Sequence, residues 1–167
     1  MFKPSYKITS KILTMLTAIA ESRSVIKRAK ILPKSEIKLR RQALIRMTHS
    51  STEIEGNMLN LKQVEDILGH KKIDAPERDI HEVQNYFKAI KHIEQVVNKK
   101  QQITERILFK IHKIVTNNTL PKEQSGFYRK GPIFVVRRRL VPPDEVVYTG
   151  PDAKEVPVLC ANLIKWL

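Results

Sequence analysis

Two carboxylates, Glu53 and Glu55, stand in the stretch HSSTEIEGNMLNLKQVEDIL (residues 49–68), just ahead of Gly56 and Asn57. The residues before them follow a helical pattern, and a glycine at this point suits a helix end. The last turn of a helix carries unpaired carbonyls and a partial negative charge, so an acid there is locally unfavourable. A carboxylate placed against that rule points to a cation supplied from elsewhere in the fold. Ser51 lies one turn before Glu55 on the same face, where its hydroxyl could orient the carboxylate. Local chemistry alone also fits a plainer reading, a solvated helix end with two exposed glutamates.

No other constellation in the chain makes a catalytic set. The five histidines, at 49, 70, 81, 92 and 112, do not fall at metal-ligand spacing, and a single cysteine cannot build a zinc site. His112, inside LFKIHKIV, reads as a hydrogen-bonded structural residue. The five glycines are scattered, so no loop is built to cradle phosphate. Cys160 sits on an apolar helical stripe and reads as a buried thiol. One cysteine forms no intramolecular disulfide, which suits a reducing, cytoplasmic setting. No stretch reaches the roughly 18 apolar residues of a membrane span, and membrane is not an expected partner.

The 167 residues, 41% hydrophobic, are enough for a core, and the net charge is +14. That charge is uneven. Residues 1–48 hold 12 basic and 2 acidic side chains, residues 49–118 hold 11 and 10, and residues 119–167 hold 8 and 5. The basicity is an N-terminal property, able to attract nucleic acid, anionic lipid or an acidic protein.

The elements that must position Glu55 are mostly helices. Ile8, Ile12, Met15, Leu16 and Ile19 recur at helical spacing up to about residue 30. Pro33 opens a second helix, with Ile37, Leu44, Met47, Ser51 and Ile54 along one stripe, and Gly56 stops it. Asn60 with Gln63 forms a capping box for LKQVEDIL. Asp74 and Pro76 introduce the longest pattern, in which Ile80, Val83, Phe87, Ile90 and Val97 share a face. A further helix covers about residues 104–116. The character then changes: residues 133–136 and 146–148 are β-prone runs separated by Pro142, Pro143 and Asp144. They predict a lone β-hairpin with strand edges open to an extended peptide. A final helix follows, with Val156, Leu159, Leu163 and Leu167 as an apolar face suited to self-association.

Several of these segments together resemble the Fic family. SSTEIEG fits that family's inhibitory pattern through Ser51, Glu55 and Gly56, and HEVQNYFKAI, ITERILFKIH, GFYRKGPIFVV and VPVLCANLIKWL follow the order of its core helix, second helix, docking hairpin and next helix. The resemblance covers about residues 40–167. It implies a mainly α, Fic-type bundle with one β-hairpin at about 132–149, incomplete at its C-terminal side. Residues 1–56 would be basic helices ending in the inhibitory helix, and residues 57–167 the N-terminal part of the Fic domain.

The family's catalytic loop, HPFxDGNGR, occurs nowhere in the 167 residues. The resemblance therefore implies the regulatory and target-docking part of a protein adenylyltransferase, which moves AMP from ATP to Ser, Thr or Tyr hydroxyls using Mg²⁺. The chain by itself is expected to be inactive and to bind neither ATP nor Mg²⁺ tightly. Its implied partners are the rest of the Fic core and a target protein docked at Val135, Val136 and Arg137. Glu55 would pair with the loop's arginine and occupy the seat of the ATP γ-phosphate. Arg137, Arg138 and Arg139 would favour an acidic target, and Arg129 would brace the hairpin's base. Two rivals are a basic helical nucleic-acid-binding module and a non-catalytic protein-interaction domain.

Overall fold

The computed structural model describes residues 2–29, 32–138, 143 and 145–167. Among them are six helices, α1 (Ser10–Arg28), α2 (Pro33–Ile54), α3 (Leu61–Leu68), α4 (Glu77–Asn98), α5 (Glu105–Val115) and α6 (Val156–Trp166), and two strands, β1 (Phe134–Arg137) and β2 (Glu145–Thr149). The fold is mainly α with one antiparallel hairpin, as the periodicities predict. The chain divides into two compact units, Lys3–Leu44 and Ile45–Leu167, with Phe2 counted in the second.

In the first unit, Thr9 caps α1 by accepting the Ile12 N–H at 3.3 Å, and Lys27 and Arg28 sit at the negative end of the helix dipole. None of the α1 side chains is buried, and Ile8, Met15, Leu16 and Ile19 are all more than half exposed. The apolar row expected there is present, and its side chains are exposed.

The core of the second unit is built from Ile45, Leu59, Val64, Ile67 and Val83, with Leu68, Ile73, Ala75 and Ile80 packed around them. Val64 and Val83 are fully buried, each contributing about 1.5–3 kcal/mol of transfer free energy. The α3 register that turns Val64 and Ile67 inward starts at the Asn60–Gln63 capping box, whose two reciprocal bonds measure 2.9 and 3.0 Å. The end of α5 is tied to α4 by Asn85, 1% exposed, whose amide donates to Val115 O at 3.2 Å and Asn117 O at 2.6 Å.

Two helical stripes differ from expectation. On α2 the buried residues are Ile45, Thr48 and Thr52, while Met47 and Ile54 are exposed. On α4 the buried set is Val83, Asn85, Ala89 and Val96, with Val97 exposed. In both cases a polar residue takes a core position because its own hydrogen bonds are satisfied there. Cys160 is half-buried rather than buried.

Candidate functional site

The site begins with how α2 stops. The Gly56 N–H donates to Glu53 O at 2.9 Å and the Asn57 N–H to Thr52 O at 3.1 Å, a Schellman turn in which Gly56 takes φ +92°. The position after that glycine commonly carries an apolar side chain. Here it carries Asn57, only 4% exposed. Its Nδ2 donates to Asp79 O and to Glu82 Oε2, both at 3.0 Å, and its Oδ1 accepts the Leu59 N–H at 3.2 Å. Glu82 is in turn held by Arg78 Nε at 3.0 Å through its other oxygen. A turn earlier, Ser51 Oγ meets Tyr86 Oη at 2.8 Å. The end of α2 is therefore fastened to α4 on both sides of Glu55.

Glu55 itself is exposed, its backbone N–H donates to Thr52 O at 3.1 Å, and no described residue pairs with its carboxylate. Glu53 differs: its carboxylate lies 3.8 Å from His49 Nδ1. Two acids of the same helix end thus have separate surroundings, one facing its own helix and one free. Ser51, Glu55 and Gly56 fall together at this end, with the Ser51 hydroxyl directed to Tyr86.

Val135, Val136 and Arg137 form the second group, on β1. The register pairs Phe134 with Thr149, Val135 with Tyr148, Val136 with Val146 and Arg137 with Glu145, leaving Val147 as a bulge. Both strands are largely exposed, and among the described residues they pair with each other and no third strand. The strands start and end within one residue of the sequence estimates. Arg137 Nη1 lies 3.5 Å from Glu145 Oε2 across the ladder, so part of its charge is answered within the hairpin. Pro142, Asp144 and Arg139 lie outside the described residues.

The root of the hairpin is built with more polar contacts than its strands. The Gly126 N–H donates to His112 Nδ1 at 2.9 Å, and the Thr116 hydroxyl, 2.7 Å from Ser125 Oγ, donates to His112 O at 2.7 Å. His112 is structural, as its setting suggests. Arg129 donates to Gly131 O at 2.6 Å and to Pro151 O, and the Gly150 N–H donates to Ile133 O at 2.9 Å. Arg129 braces the base, as expected. Tyr128 donates to Glu105 Oε1 at 2.5 Å and stacks edge-on against Phe109. Burial first, then the neighbouring Glu105 carboxylate and Cys160 thiol, raises its phenol well above the ordinary value. An open groove of about 780 Å³ runs beside this root, lined by Phe109, Phe127, Tyr128 and Cys160 among others.

No family profile and no curated protein matches the chain. Nine solved chains do match it. One is the crystal structure of a Fic family protein from Desulfovibrio desulfuricans G20, with a TM-score of 0.76 and 28% identity over 99% of this chain. The chain has a Fic-like fold. It spans 47% of the length of that Fic protein.

Within the Fic-like fold, Asn57, Glu82 and Tyr86 are the site residues that sequence reasoning passed over. One signal was present: a polar residue directly after the helix-ending glycine, where an apolar contact is usual, asks for a buried partner. Nothing in the sequence marked the Tyr128–Glu105 pair, which joins positions 23 residues apart. No helix among the described residues is long and apolar enough to cross a membrane.

Proposed function

We propose that these residues are the regulatory and target-docking part of a Fic-type protein adenylyltransferase, which transfers AMP from ATP to Ser, Thr or Tyr hydroxyls of proteins, with Glu55 as its restraint. The observation that carries this reading is a free, exposed carboxylate on a fixed helix end within a Fic-like fold. A carboxylate presented in this way suits a guanidinium, which it would engage by a charge-assisted hydrogen bond in place of the γ-phosphate. The described residues contain no cluster of three His, Cys, Asp or Glu side chains suited to a metal ion. On this reading the ATP and Mg²⁺ site is completed by an HPFxDGNGR loop, a motif that these 167 residues do not contain.

Radiolabelled ATP with Mg²⁺ tests the division of labour. The 167-residue chain alone is expected to transfer no AMP, and a longer polypeptide carrying the loop to label itself or a target. Transfer by the chain alone overturns the proposed division. Failure of the loop-bearing polypeptide overturns the activity.

The hairpin's part is target docking. An extended segment of the target would add its backbone to an open strand edge, setting its hydroxyl beside the α-phosphate. Val136→Pro removes a backbone donor from β1. Docking of a target peptide is expected to weaken about tenfold, the worth of one or two backbone hydrogen bonds, while the melting temperature stays within a few degrees. Isothermal titration and thermal melting, read together, decide it. Equal damage to both gives the hairpin a structural role instead.

A further inference from the structure

A helix end with an exposed glutamate needs only a glycine turn to stop, and helix ends otherwise fray. The end of α2 has more than that. Two residues beyond Glu55, the Asn57 side chain is buried with both of its amide groups bonded, and four residues before it the Ser51 hydroxyl is taken up by Tyr86. The α4 positions involved, Asp79, Glu82 and Tyr86, recur at spacings of three and four and so lie along one face of that helix. Burying an amide costs free energy unless all its partners are in place, and this one has them. The Schellman turn does not require such an anchor.

We propose that Asn57, gripped by Glu82 and the Asp79 carbonyl and backed by the Ser51–Tyr86 pair, is a positioning residue that fixes where the Glu55 carboxylate is presented. This rests on the reading of Glu55 as the restraint. The strength of the restraint is then set jointly by α2 and α4: loosening the grip frees Glu55 to leave its post without any change to Glu55 itself. Glu82 is an acceptor for Asn57 through one oxygen and for Arg78 through the other, so its charge and orientation are shared between the two.

The test uses a polypeptide that carries the catalytic loop, with auto-adenylylation as one readout and hydrogen exchange at amides 55–57 as the other. Asn57→Asp keeps the size but removes the donor and faces the Glu82 carboxylate. It is expected to speed exchange and to raise activity, each about tenfold, the worth of one lost hydrogen bond to a charged group. Asn57→Asp with Glu82→Gln returns a donor to the pair and should bring activity back toward the restrained level. Added to Glu55→Gly, Asn57→Asp should change nothing further, an outcome that general destabilisation cannot imitate. Tyr86→Phe, which removes one hydroxyl, carries the test by the same two readouts if Asn57→Asp fails to fold. Faster exchange with activity still restrained, in a protein that Glu55→Gly does activate, overturns the positioning role. No activation by Glu55→Gly overturns the reading of Glu55, and the positioning role with it.

Discussion

Replacing Glu55 by glycine in the loop-bearing polypeptide is expected to raise auto-adenylylation about 10- to 100-fold, the range set by losing one charge-assisted hydrogen bond of about 1.5–3 kcal/mol. The fold should hardly notice. The Glu55 side chain is exposed and without a described partner, and the bonds that close α2 come from backbone atoms of residues 52, 53, 56 and 57. Glu53→Gly supplies the comparison. It removes the same charge from the same helix end, but Glu53 lies about 200° around the helix from Glu55 and near His49 instead. Glycine in that last turn lowers helix stability by about 0.5–1 kcal/mol and should leave the rate near its restrained level. Rates measured side by side with labelled ATP check both. Equal activation by the two substitutions means that helix-end electrostatics or fraying controls the rate, and the obstruction by Glu55 is wrong.

Gly126→Val is expected to lower stability by about 3 kcal/mol and the melting temperature by about 10 °C. Gly126 has φ +84°, and a Cβ built there comes within 2.9 Å of Lys113 Cβ and 3.2 Å of Phe109 O. Backbone strain and collision with α5 therefore add. Two other glycines separate those terms. Gly56, at φ +92°, has open space around it, so Gly56→Ala carries the left-handed penalty alone, about 1 kcal/mol. Gly131 has open space and no positive φ, and Gly131→Ala should be near neutral. Melting curves followed by circular dichroism rank the three. A Gly126→Val protein that melts like the parent would mean that the root of the hairpin gives way to the new side chain.

Element type was legible wherever a local rule governs it. The capping box at Asn60, the proline opening α2 and the glycine ending it act within a few residues, and all appear where expected. Which face of a helix is buried was less legible. Thr52 enters the core because its hydroxyl bonds back to Thr48 O and His49 O, so a residue that reads as polar needs no solvent. Asn85 does the same through carbonyls 30 and 32 residues away. The apolar row of α1 is a further case: periodicity identifies the stripe, but only a partner decides whether it is covered. At the candidate site, Glu55 stood out because it broke a local rule, whereas Asn57 and Tyr86 matter through residues 22 to 35 positions distant, beyond the reach of any short window.

The brace at the hairpin's foot also governs how this protein can change over time. Arg129 spans from Gly131 O to Pro151 O, and the Gly150 N–H closes on Ile133 O, so the two feet of the hairpin are clasped independently of what lies between them. With the feet clasped, the number of residues joining the strands can change at little thermodynamic expense, since doubling the length of a connection adds only about 0.6 kcal/mol of closure entropy. Substitutions and insertions between Arg137 and Glu145 can therefore accumulate without disturbing α5 or α6. In evolution that connection is free to diverge while everything beneath the clasp is inherited unchanged.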